Sequence, residues 1–140
     1  MVKSVCTLVL VVCVAALSRA QVSRTVRDGV YTQAQAAQGA AIYGKQCASC
    51  HGASLEGAQA PPLIGEASMG RWDGQPLSEL ASKIRHTMPA DAEGTLTPAQ
   101  AAGLVAHLLK AGGFPAGPAA LADDDAALSQ IGWPTGVAAA

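Results

Sequence analysis

Two thiols and an imidazole stand together in Cys47-Ala48-Ser49-Cys50-His51. Cysteines three apart lie about one helical turn from each other, so their sulfurs can reach the two vinyl groups on one edge of a haem and form thioethers. The histidine that follows is then held under the iron as a ligand. C-x-x-C-H at this spacing is the pattern of c-type haem attachment. Half a zinc site is the first rival, but structural zinc needs four ligands and no second cysteine pair is present in the exported chain. A redox dithiol of the thioredoxin kind would want a strand before the motif and a helix starting at it. Here a helical pattern precedes it.

A methionine opposite the histidine raises the reduction potential. Beyond the leader, Met69 and Met88 are the sulfur candidates, 18 and 37 residues past His51. Met88 is favoured. Proline at 89 pushes the residue before it out of helical geometry, which frees the side chain to turn inward. His86 and His107 are nitrogen alternatives. His86 falls in the last turn of a helix and reads as exposed; His107 falls in mid-helix and reads as a neutral packing residue. Trp72 and Arg85 are either a partly buried aromatic and a solvated charge, or donors to haem propionates through indole N–H and guanidinium.

These groups need elements to position them. Thr32-Gln33-Ala34-Gln35 fits a capping box, with Thr32 as N-cap and Gln35 reaching back. It predicts a first helix over 33–46, with Ala36, Gly39, Ala40, Tyr43 and Cys47 on one face. Gly39 weakens a helix, and close approach by another helix is the reason expected for it. The loop 52–65, rich in Gly and Pro, has no period and is expected to cover one edge and the proximal face of the haem. A second helix is expected from Pro76 to about Thr87, with Leu77, Leu80, Ala81 and Ile84 inward. Thr97-Pro98-Ala99-Gln100 is another capping box with proline at the first helical position. The third helix runs from it to about Ala111, with Ala101, Leu104, Val105 and Leu108 inward, and Gly112-Gly113 stops it.

The ends read differently. Residues 1–20 carry a short basic start, an apolar run over Val5–Leu17 and the small-residue end Ser18-Arg19-Ala20, which is a secretory signal cleaved after Ala20. The run is too short to span a bilayer, and Cys6 and Cys13 leave with it. Removing Lys3 and Arg19 from the 9 basic residues leaves 7 against 10 acidic ones, a net charge of −3. That charge argues against nucleic acid and anionic lipid as partners. Aromatic residues make up only 4% of the chain, so its own core is thin, and a haem would supply the missing apolar bulk. Residues 21–31 read as an N-terminal arm, 32–113 as the domain, and 114–140 as an Ala/Pro/Asp-rich tail. Leu121, Leu128, Ile131 and Trp133 are expected to lie on the domain surface, with little regular structure around them.

From about 33 to 111 the chain resembles a class I c-type cytochrome. The haem motif, Pro61-x-Leu63, Met88-Pro89 and the helices around Gly39/Tyr43 and Leu104/His107 match in order. The resemblance implies an all-α cytochrome c fold, with three main helices wrapped around one covalently attached haem c. It implies His51 and Met88 as iron ligands, with the Pro61 carbonyl accepting from the other ring nitrogen of His51. It implies Leu63 on the haem, and terminal helices crossing at Gly39 and Tyr43. His107 departs from the pattern, standing where the family usually carries an aromatic. Asp28–Thr32, Lys83–Pro89 and Gly113–Gly117 further resemble the small cytochromes that accompany pyrroloquinoline-quinone dehydrogenases.

The function implied is one-electron transfer in the periplasm by a monomer that is not itself an enzyme. The donor would be a quinoprotein dehydrogenase and the acceptor an oxidase or another cytochrome. The alternatives are a haem enzyme with an open sixth position, of peroxidase or gas-binding type, and a haem subunit of a larger dehydrogenase complex that uses the tail to dock.

Overall fold

The computed structural model describes residues 23–136. The expected signal sequence and its cleavage after Ala20 lie outside the described residues. The three expected helices are present as α1 (Gln33–Gln46), α4 (Leu77–Thr87) and α5 (Pro98–Ala111). Shorter helices α2 (Ala48–His51), α3 (Glu66–Met69) and α6 (Asp125–Leu128) lie between or after them, with a 3₁₀ turn at Gly70–Trp72. The fold is mostly helical, and α1 and α5 form its main contact, with α4 packed on α5.

The α1–α5 crossing explains Gly39. A Cβ there would run into the Gly103 carbonyl of α5, so the two backbones touch with nothing between them. Around this contact α5 is buried almost all round, at Ala101 to Ala106, Leu108 and Leu109. Small side chains let the two axes approach, and Leu104, Leu108 and Leu109 of α5 are buried in the core.

The two capping boxes part company. At α5 both halves form: Thr97 Oγ1 accepts from the Gln100 N–H at 3.2 Å, and Gln100 Oε1 accepts from the Thr97 N–H at 2.8 Å. At α1 only the first half forms, with Thr32 Oγ1 accepting from the Gln35 N–H at 3.1 Å. The Gln35 amide turns away to the tail instead. Its Nε2 donates to the Leu121 carbonyl at 2.8 Å, and its Oε1 accepts from the Leu121 N–H at 2.7 Å.

The tail itself departs from expectation. Leu121, Leu128, Ile131 and Trp133 are buried in the same core as Tyr43, Leu104 and Leu109. Strand β2 (Ile131–Gly132) pairs in parallel with β1 (Arg24–Thr25) of the arm. Tyr31 donates its hydroxyl to the Phe114 carbonyl at 2.7 Å, and the Gly117 N–H donates to the Tyr31 carbonyl at 2.7 Å. Trp133 meets Phe114 edge-on, with ring centroids 5.2 Å apart. The core therefore draws on the arm and the tail as well as on 32–113. The physical reason is the shortage of large side chains within that segment: Tyr31, Phe114, Leu128 and Trp133 supply apolar area that α1, α4 and α5 lack.

Candidate haem-binding site

The motif sits where α1 hands over to α2. Cys47 ends α1, its N–H bonded to the Tyr43 carbonyl at 2.9 Å. It also opens α2, accepting from the His51 N–H at 2.9 Å. One continuous helical turn thus carries both thiols and the imidazole. Cys47 is half-buried, Cys50 exposed, and both are free thiols. Burial pushes the Cys47 thiol up, and the neighbouring Cys50 adds to it.

The chain reverses at Gly52, whose φ of 83° is open to glycine and costly for other residues. Tyr43 locks this reversal by donating its hydroxyl to the Gly52 carbonyl at 2.6 Å. Burial pushes the Tyr43 hydroxyl up to about 12, with Cys47 and Glu56 adding smaller contributions. The loop then folds back under the motif. The Gly57 N–H donates to the His51 carbonyl at 2.7 Å, and the Ala60 N–H to the Cys50 carbonyl at 2.9 Å.

That return path brings Pro61 to His51. His51 Nδ1 lies 2.8 Å from the Pro61 carbonyl oxygen. A carbonyl can only accept, so Nδ1 carries the proton and Nε2 keeps its lone pair. This tautomer suits a ring that binds iron through Nε2, with its other nitrogen fixed by the backbone.

Leu63, Ile64, Trp72 and Ile84, like Cys47 and Ala48, are half-buried and pack against the core. Trp72 ends the 3₁₀ turn. Met88 follows α4 in an extended conformation (φ −128°, ψ 149°) and is half-buried. Met69, the rival sulfur, is 3% exposed, and its methyl lies against Gly112 at the end of α5. It is a core residue on α3, which follows the 52–65 loop. Arg85 lies 3.9 Å from Asp125 of α6, so a propionate would share it with a carboxylate of the tail. His86 is exposed. His107 packs on Tyr43, ring centroids 5.2 Å apart, at the α1–α5 crossing. Burial lowers its pKa, and Lys110 lowers it further.

A family model described as cytochrome c oxidase, cbb3-type, subunit III, matches residues 34–108. The chain belongs to this cytochrome c family. It is a class I monohaem c-type cytochrome, a haem protein of electron transfer. Among solved structures, the sulfane dehydrogenase SoxCD of Paracoccus pantotrophus contains a chain of similar fold, with a TM-score of 0.50 and 21% identity. That match covers 78% of this cytochrome and 63% of the other chain. A search of the curated proteins finds no match.

The residues present fit haem c. The donor set is two thiols on one turn and an imidazole in the tautomer that leaves Nε2 for iron. Nothing local distinguishes Gln35 from Gln100, so the Gln35–Leu121 contact leaves no signal in the sequence.

Proposed function

We propose that this cytochrome is an exported single-haem electron carrier with His51 and Met88 as the axial ligands. The observation that carries the reading is the 2.8 Å contact of His51 Nδ1 with the Pro61 carbonyl, which aims and polarises the imidazole before any metal arrives. When bound, the haem supplies a one-electron couple. Cys47 and Cys50 tether it through thioethers. His51 is held in one tautomer by Pro61, and Leu63 and Ile64 keep water from the ring. Met88 completes the ligand set and closes the metal to substrate, which separates a carrier from a peroxidase or gas-binding protein. Electrons enter and leave at the edge beside Cys50, where Lys45 is a nearby exposed cation.

The donor we propose is a periplasmic quinoprotein dehydrogenase, and the acceptor a membrane oxidase or further cytochrome. Support comes from Asp28–Thr32, Lys83–Pro89 and Gly113–Gly117. Such encounters bury little surface and dissociate quickly. The test is stopped-flow reduction of the ferric holoprotein by candidate dehydrogenases with their substrates. Fast reduction by a quinoprotein and none by a nicotinamide-linked enzyme is expected. Failure with every quinoprotein of the source genome, beside fast exchange with a respiratory complex, would assign it to the respiratory chain.

A second reading, a haem subunit held in a larger complex, is favoured by the oxidase subunit that the family is described by. The buried tail weighs against docking through residues 121–133, because their apolar side chains are committed to the chain's own core. Co-purification of the exported protein with an oxidase or dehydrogenase at fixed stoichiometry would favour the subunit; elution as a monomer favours the carrier.

A further inference from the structure

Met88 stands between the end of α4 and an exposed turn. On its C-terminal side, residues 90–95 are all exposed, and that turn is held by the Ala92 N–H on the Pro89 carbonyl at 2.9 Å and Thr95 Oγ1 on the Ala92 carbonyl at 2.7 Å. On its N-terminal side, the Met88 N–H donates to the Ile84 carbonyl at 3.2 Å, so its backbone rides on α4. What holds α4 therefore holds Met88.

The tail grips α4 from end to end. Before the helix, the Gly74 N–H donates to the Trp133 carbonyl and the Trp133 N–H to the Gln75 carbonyl, each at 2.8 Å. Pro76 bridges Gly132. In the first turn, Ser78 Oγ lies 3.1 Å from Ser129 Oγ. In the last turn, Arg85 lies 3.9 Å from Asp125. Between these points α6 packs on α4, and its buried residue is Leu128, 1% exposed. The tail is anchored in turn by β1 of the arm and by the two Gln35–Leu121 hydrogen bonds. The family match ends at residue 108, so the whole grip lies beyond it.

We infer that residues 125–133 are a clasp that positions the sixth ligand, setting how readily Met88 is displaced from the iron. Leu128 and Ser129 are its positioning residues. The inference rests on the assignment of Met88 as ligand. A loosened α4 would let Met88 swing away, and an added ligand then gains affinity in proportion to the open fraction.

The experiment is an imidazole titration of the ferric holoprotein, read by loss of the weak long-wavelength sulfur-to-iron band. Leu128→Ala is expected to tighten apparent imidazole binding roughly tenfold, and Ser129→Ala roughly twofold. Leu121→Ala is the control. It keeps the backbone hydrogen bonds of residue 121 to Gln35 and truncates only a side chain that lines a groove with Thr32, Gln38 and Ala102, and should stay within about twofold of the parent. If Leu128→Ala does not yield holoprotein, Leu128→Val and Ser129→Ala decide the matter. Unchanged affinity in the clasp variants, or an equal rise in Leu121→Ala, overturns the clasp alone. A parent protein without the band, or one whose band survives Met88→Ala, overturns the ligand assignment and the clasp with it.

Discussion

Met88 and Met69 carry the same thioether to different ends. Met69 is packed against Gly112, while Met88 stands half-buried beyond the end of α4. Met88→Ala should abolish the long-wavelength band, lower the reduction potential and admit carbon monoxide. Met69→Ala should keep all three properties and lose about 2–5 kcal/mol of stability, as a truncated core methionine does. Spectra and denaturant midpoints of the two variants separate the roles. His107 makes a prediction in pH. Its folded pKa is depressed by burial, so the unfolded chain binds the proton first. Stability is full above the unfolded value near 6.5 and falls as pH drops from there towards the folded value, below which this contribution levels off. His107→Tyr should flatten that part of the curve. Denaturation midpoints across the window check it, and parallel curves would mean His107 is not the group responsible.

At the scale of elements, the α1–α5 crossing depends on one glycine more than on the other. An added methyl at Gly39 meets the Gly103 carbonyl, which is backbone and cannot yield. An added methyl at Gly103 meets Gly39 at 3.6 Å, an ordinary contact. Gly39→Ala should therefore destabilise the protein at or beyond the upper end of the roughly 1–3 kcal/mol usual for overpacking. Gly103→Ala should be near neutral or gain up to about 1 kcal/mol from the helix preference of alanine. Urea unfolding of both variants tests the asymmetry. Equal effects would mean that the helices cross elsewhere.

At the scale of the molecule, the arm, the domain and the tail share one core. Trp133 is 2% exposed and closes that core against Phe114. Trp133→Ala should cost about 3–5 kcal/mol, the range for a large buried aromatic. A loose surface tail would show almost no change. Thermal unfolding of the holoprotein distinguishes these outcomes, and a single transition is expected because arm and tail have no separate core.

The sequence by itself determined whatever rests on local chemistry. The Cys47–His51 turn, the caps at Thr32 and Thr97, the extended Met88 before proline and the three long helices depend on neighbours within a few residues, and those neighbours are visible in the chain. Tertiary structure decided the rest. Thr32-x-x-Gln35 and Thr97-x-x-Gln100 are the same local signal, yet only the second closes its box. Gln35 finds the backbone of Leu121, 86 residues away, satisfying two polar groups at once. The tail is rich in Ala, Pro and Asp and lacks a helical or strand period. Its order comes from burying Leu128, Ile131 and Trp133 against surfaces made by distant segments, and from pairing β2 with an arm more than a hundred residues earlier. Contacts of that kind leave no periodicity, because their partners are set by the path of the whole chain.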